Sequence, residues 1–224
     1  MTGVRGARYD GIADWYDGYN EAAAGSHGAE LARLLGPGTG RCLDLGCGTG
    51  QYAEVIRSTG RVLVGLDRSA DQLRLARRRV PAAVHADAAA LPFADAAFPT
   101  VVAMWVSTDV DDFGAVLREA ARVLRPGGRL VCYGVHPCFN GPCIENRDDG
   151  ARIVHPTYRA AGWHPAAPWW SPGGVRSRLG MRHVPLADLL TAFPAAGLVI
   201  DRVVEPRDEP LPYALAVCAH RPGA

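Results

Sequence analysis

The chain has 224 residues, of which 48% are hydrophobic and 21% charged, and its net charge is +1. That balance suits one folded unit, residues 1–224, with a substantial core, and it excludes a disordered chain, a fibre and a strongly basic nucleic-acid binder. The stretch MTGVRGARYDGIADWYDGYN lacks the apolar core of a secretion signal, and no run reaches the roughly 18 apolar residues of a membrane span, so a cytoplasmic protein with no membrane partner is expected.

Residues 9–24, YDGIADWYDGYNEAAA, are compatible with a helix that ends before Gly25, and a second helix is expected from about Gly28 to Leu35. Cys42, Leu43, Asp44 and Leu45 read as a short buried strand, which Gly46, Gly48 and Gly50 turn into a helix starting near Gln51. A second apolar run, Val62 to Leu66, ends at Asp67. Ser69 caps a helix from Ala70 to Arg79, with Leu73, Leu75 and Ala76 inward and Arg74, Arg77, Arg78 and Arg79 on a solvated face. A third strand, AAVHAD, ends at Asp87, and His85 within it is read as structural.

Thr100 to Val106 is strongly β-prone and forms the fourth strand. A helix over Asp112 to Leu124 follows at clear 3.6-residue spacing, Arg125 to Gly128 stops it, and RLVCYGV is the fifth strand. From His136 to His183 the periodicity is lost in a stretch rich in proline, tryptophan and histidine. An irregular segment of that length inside a folded unit is usually functional, so residues 136–184 are expected to form an inserted cap or lid over a substrate. Pro185 to Ala195 returns as a helix, and Leu198 to Glu205 and Pro212 to His220 as two strands joined by the turn-rich EPRDEPLP.

The chemistry is concentrated between Arg41 and Asp67. Alternate glycines let the backbone approach a ligand where a Cβ would collide, and a helix start offers free N–H groups to an anion. A carboxylate ending the next strand can accept two hydrogen bonds from ribose hydroxyls. A dinucleotide fingerprint needs glycine at position 51, where this chain has Gln51, so the pattern is G-x-G-x-G with an acidic residue two positions ahead of it.

DLGCGTG, Asp67, ADAAALPF with Asp87, and VLRPGGRLVCYG occur in an order that resembles the class I S-adenosylmethionine (SAM) dependent methyltransferases. The small-molecule branch is the nearer likeness, including enzymes of ubiquinone and menaquinone biosynthesis and natural-product tailoring enzymes of bacterial type. The resemblance implies an α/β, Rossmann-like fold: a seven-stranded sheet, parallel but for one antiparallel strand, flanked by helices, with the cap inserted after the fifth strand. It implies SAM as cofactor and S-adenosylhomocysteine as product. Asp44, Gly46, Gly48, Gly50, Asp67, Arg68 and Met104 are the implied cofactor contacts, with Asp87 and the Ala88 N–H meeting the adenine. Tyr16, in WYD, either covers the methionine end of the cofactor or packs with Trp15 and Tyr19 on the sheet.

The family pattern usually carries an aspartate where Pro99 or Thr100 stands and a histidine or asparagine pair near Ser107 and Thr108. This chain departs at both places, so the catalytic group has to be sought among residues after the fourth and fifth strands. His136 is the first candidate for a base, the other reading being a loop histidine that caps a carbonyl; Asp109 and Ser107 are candidates to orient an acceptor. Trp105, Trp163, Trp169, Trp170 and His155 are expected at the substrate, although the cap tryptophans could equally serve as the cap's own core. His136, Cys138, Cys143 and His155 form a loose set whose spacing matches no known zinc site, and no metal is expected. The six cysteines are expected as free thiols.

The expected function is methyl transfer to a small molecule by a monomer or homodimer, most simply O-methylation, with N- or C-methylation as variants. The alternative is a SAM-binding enzyme of the same fold that catalyses a cyclisation or decarboxylation. Methylation of RNA is disfavoured by the near-neutral charge.

Overall fold

The computed structural model describes residues 6–206 and 210–223, with the side chains of residues 22–24 excepted. Part of the turn-rich 205–212 stretch therefore lies outside the described residues.

The apolar runs of the sequence form the middle of one sheet. In chain order the elements are α1 (Ala13–Leu35), β1 (Arg41–Leu45), α2 (Ala53–Ser58), β2 (Val62–Asp67), α3 (Ala70–Ala76), β3 (Ala83–His85), β4 (Phe98–Met104) and α4 (Phe113–Val123). Then come β5 (Leu124–Val135), β6 (Ile144–Asn146), β7 (Arg152–Val154), β8 (Gly162–His164), α5 (Val175–Leu179), β9 (Met181–His183), α6 (Leu186–Ala195), β10 (Val199–Val204) and β11 (Ala214–His220). Seven strands lie in the order β10-β11-β5-β4-β1-β2-β3, and β11 alone runs antiparallel to both its neighbours. Strand order reverses between β1 and β4, where open sheets of this kind leave a crevice beyond the carboxyl ends of the strands.

The two central strands are buried on both faces, which is why they read as unbroken apolar runs. Alternation within them sorts the core into two layers. Leu43, Leu45, Val101 and Ala103 pack with Phe113, Leu117 and Phe193 of α4 and α6, whereas Cys42, Val102 and Met104 pack with Leu31, Leu34 and Ile56 of α1 and α2.

Several element bounds differ from the sequence expectation. The two N-terminal helices are one, α1, because no proline interrupts the stretch and its three interior glycines, Gly18, Gly25 and Gly28, at about 1 kcal/mol each, are outweighed by burial of Leu31, Leu34 and Leu35. The helix expected from Gln51 begins only at Ala53, since Gly50 N donates to Cys47 O and closes a turn first. The α3 helix stops at Ala76, and the four arginines lie on an exposed face as expected, from which Arg79 pairs with Asp17 and Arg74 with Asp14 of α1. Strand β5 starts early, at Leu124, with a register shift where Arg125 to Gly128 bulge out of the ladder. The 136–184 stretch is not a bare loop. It holds two antiparallel ribbons, β6 with β7 and β8 with β9, and the one-turn helix α5.

Candidate active site

A cavity of about 380 Å³ opens at the sheet's switch point, within the range of small-molecule sites. Its floor is the turn after β1. Gly46 has φ +73°, and a Cβ there would stand 2.8 Å from Val106 Cγ2, so no other residue fits this approach of backbone to the turn after β4. The ensuing turn points Gly48 N at Asp67 Oδ2, 2.8 Å away, while Ser69 N donates to Asp67 Oδ1 at the same distance. These bonds fix the Asp67 carboxylate at the cavity wall and leave each oxygen able to accept once more. Burial nevertheless raises its pKa against the pull of those N–H groups.

Asp44, on β1 behind the same turn, is 1% exposed, and neither carboxylate oxygen has a hydrogen-bond partner. Burial, with the neighbouring Asp67 charge, pushes its pKa up to about 7. The Gln72 carboxamide is likewise 1% exposed and unpartnered at both nitrogen and oxygen. Unmet buried polar groups cost about 1–3 kcal/mol each, so these two mark where a ligand or ordered water completes the site.

At the far end of the cavity stand Asp87 and Ala88. Asp87 Oδ1 accepts from Ala89 N at 2.9 Å, and its other oxygen lies 3.7 Å from Arg68 Nη1. His85 is used structurally, donating from Nε2 to Arg68 O at 2.8 Å. Met104 and Trp105 close β4. Trp105 sits at φ +63°, a conformation a bulky side chain adopts only where its surroundings compel it. The compulsion is visible: its N donates to Tyr133 O at 2.6 Å, and its indole Nε1 donates to Tyr52 Oη at 3.0 Å.

The roof comes from the N-terminal segment and the cap. Tyr9 and Tyr16 meet edge to face with ring centres 4.8 Å apart, and both hydroxyls are held well above the usual tyrosine pKa by burial and by the Asp109 charge. Asp109 is itself gripped by Arg176 of α5, at 2.7 Å, and Arg176 also donates to Thr108 Oγ1 at 3.0 Å. Arg8 donates to Asp109 O, pairs with Asp111, and lies 3.9 Å above the Trp163 ring.

Of the residues singled out in the sequence, Tyr16, Gly46, Gly48, Asp67, Arg68, Asp87, Ala88, Met104, Trp105 and Asp109 line this cavity; Asp44 and Gly50 stand just behind it. Others are not brought there. His136 is 2% exposed beside β11; its Nδ1 accepts from Cys138 N and its Nε2 donates to Glu205 at 3.0 Å, so the ring is occupied on both sides away from the cavity. Ser107 is buried against Gly134 and faces β5 instead. His155 stacks on Trp169 at 3.8 Å and bonds Glu145, so that pair forms a core for the cap, and neither Trp169 nor Trp170 lines the cavity. Trp163 reaches the cavity only through Arg8. Among the described residues, no three His, Cys, Asp or Glu side chains gather in a metal-holding arrangement.

Sequence reasoning missed Arg8, Tyr9, Gln72 and Arg176. Only Gln72 carried a local signal, as an amide among the inward positions of an otherwise apolar helix face.

A crevice with a glycine-turn floor, a ribose-height carboxylate and an acidic far wall defines an α/β protein built for an adenosine-type cofactor. The methyltransferase domain model matches residues 43–132. A demethylmenaquinone methyltransferase of Mycobacterium marinum is 37% identical over 129 residues, covering 55% of each chain, so this chain spans about half the length of the curated relatives it matches. A SAM-dependent methyltransferase of Mesorhizobium loti shares the fold across 95% of this chain and 99% of its own, with TM-score 0.70 and 23% identity. The [4+2]-cyclase SpnF shares it across 91% of this chain and 81% of its own, with TM-score 0.61 and 20% identity. Residues 43–132 therefore match a methyltransferase domain, within a fold shared with SAM-dependent methyltransferases, and the lining of the cavity fits SAM as the cofactor.

Proposed function

We propose that this chain transfers a methyl group from SAM to a small-molecule acceptor. What carries the reading is the convergence on one cavity of Gly46, Gly48 and the anchored Asp67, with the unpartnered Asp44 just behind the same turn. A bound sulfonium supplies a methyl carbon that is already electrophilic. Asp67 receives the ribose hydroxyls, Asp87 and Ala88 N–H receive the adenine, and Asp44 faces the cationic amino-acid end. The acceptor then lies against Trp105, Tyr9, Tyr16 and Asp109, where the protein's task is to hold a nucleophile in line and exclude water.

The wall also narrows the acceptor. The Asp109 carboxylate is engaged by Arg176, and no histidine lines the cavity among the described residues. An oxygen that ionises easily, such as an acidic phenol or a carboxyl, needs no base, and the aromatic wall suits a flat ring; we therefore favour O-methylation. Quinol-type rings are the first acceptors to assay, given the names of the curated relatives. The 136–184 segment acts as the lid, through Arg176 and Trp163. The same proposal places the protein in the cytoplasm as a monomer or homodimer, in a bacterial tailoring pathway.

The likeness to SpnF keeps a second reading alive, in which SAM is bound but not consumed. Mass spectrometry of products separates the two: a gain of one methyl with release of S-adenosylhomocysteine supports transfer, and turnover with SAM intact overturns it.

A further inference from the structure

Helix α3 presents four buried residues to the sheet, Gln72, Leu73, Leu75 and Ala76, and three of them are apolar. An amide in that company breaks the local pattern, and such breaks are expected where function requires them. Gln72 is fixed in place by its own backbone, since its N–H donates to Ser69 Oγ at 3.1 Å in the helix cap. Its side chain lines the cavity, and a Cβ on Gly48 would stand 3.5 Å from Gln72 Oε1. Gly48 N is also the group that holds Asp67 Oδ2. Gln72 and Asp67 therefore flank one peptide from two sides. Asp67 has its partners in the protein, whereas the Gln72 nitrogen and oxygen have none.

We infer that Gln72 is a specificity-determining contact for the ribose of the cofactor, working beside Asp67. A carboxamide offers one donor face and one acceptor face, and a ribose hydroxyl both donates and accepts, so the two match where a carboxylate alone can only accept. The inference rests on SAM being the ligand of this cavity, and it adds a residue that neither the glycine turn nor the acidic strand end specifies.

Gln72→Met keeps the length of the side chain and removes both polar atoms. Two measurements on the full chain, neither needing an acceptor, test the role. In calorimetric titrations with S-adenosylhomocysteine and with 5′-methylthioadenosine, the variant should bind both about tenfold more weakly, because the loss falls on the shared nucleoside. Thermal melting of the ligand-free variant should rise, because an unmet buried amide has been replaced by apolar volume. The titrations are then repeated with the 2′-deoxy and 3′-deoxy forms of 5′-methylthioadenosine. Wild type should discriminate against at least one of them, and Gln72→Met should lose that discrimination; Gln72→Leu serves as the second variant should the methionine form fail to fold. A higher melting temperature with ligand affinities unchanged within twofold would overturn the inference and leave Gln72 satisfied by water. A wild-type chain that ignores S-adenosylhomocysteine altogether would instead sink the reading of the cavity itself.

Discussion

Between Arg41 and His85 the chain builds strands whose residues are dictated locally, whereas between His136 and Val184 its shape depends on partners far away in sequence. Gly46 needs its left-handed φ and Asp67 takes its bonds from Gly48 and Ser69, all within about one βαβ unit. In the cap, Arg176 finds Asp109, Trp163 finds Arg8, and His183 donates to Tyr158 O. The first region holds a ligand common to many proteins, and a fixed backbone serves it. On the proposed function the second has to suit one acceptor, and side chains from three separate segments meet there. Generic recognition is thus written in backbone geometry, and particular recognition in long-range side-chain pairs.

The sharpest break of that contrast is to put a side chain on the cavity floor. Gly46→Ala forces a left-handed residue with a Cβ 2.8 Å from Val106 Cγ2, and it should destabilise the fold by about 1–3 kcal/mol and abolish measurable S-adenosylhomocysteine binding. Denaturant unfolding and calorimetry read the two effects. Wild-type affinity in a folded Gly46→Ala protein would refute the cavity-floor assignment.

Asp67→Ala tests the same region without touching the turn's backbone. Loss of hydrogen bonds from a charged group corresponds to about 1.5–3 kcal/mol, a weakening of roughly ten- to a hundredfold for S-adenosylhomocysteine. Unchanged affinity would move the ribose elsewhere.

Asp44 makes the comparison pH-dependent. Its carboxyl is lifted from an ordinary 3.8 to about 7. The folded chain therefore holds this proton more tightly than the unfolded chain does. That contribution to stability is complete below the ordinary value and is lost as pH rises toward 7, with Asp67, also raised, acting in the same direction. The ligand-free protein should melt lower at pH 8 than at pH 5, and Asp44→Asn should flatten the slope. Binding of a cationic amino-acid end should reverse the preference, so S-adenosylhomocysteine should bind more tightly at pH 8 than at pH 6. A flat affinity profile would place the cationic end away from Asp44.

The same contrast explains what could be seen in the sequence. The individual strands follow from unbroken apolar runs and the glycine turn, the seven-stranded sheet from the family resemblance those motifs carry, and Asp67 and Asp87 stand at strand ends that the runs themselves mark. Helix bounds slipped by a few residues at Gln51 and Arg79, where turn-type backbone bonds, Gly50 N to Cys47 O and Arg79 N to Ala76 O, and not propensity, mark the end. His136 looked eligible because it follows β5 directly. Its ring is turned toward Glu205, a residue 69 positions away that no local pattern connects to it. Arg176 was invisible for the complementary reason: its importance lies in Asp109, 67 positions earlier.

Arg176→Ala should show the cap's share. The ion pair is about one-fifth exposed on each side, so its removal should cost about 1–2 kcal/mol, partly screened by solvent. The variant should bind S-adenosylhomocysteine within a few-fold of wild type, because the cofactor's own contacts are untouched, while α5 becomes more accessible to protease. Arg176→Lys should restore most of the stability.

The smallest effect is expected at His136, and it separates the two regions most cleanly. With both ring nitrogens engaged by Cys138 N and Glu205, His136→Ala leaves a buried N–H and a carboxylate without their partner and should lower stability by about 1–2 kcal/mol. Because the ring lies outside the cavity, affinity for S-adenosylhomocysteine and any methyl-transfer rate should stay within twofold once the protein is folded. Glu205→Gln, which keeps a hydrogen-bond acceptor opposite Nε2, should cost less than His136→Ala. Were His136→Ala to lose turnover while melting like the wild type, the imidazole would have to swing away from Glu205 during the reaction, and the cap would then contribute the base that the cavity wall lacks.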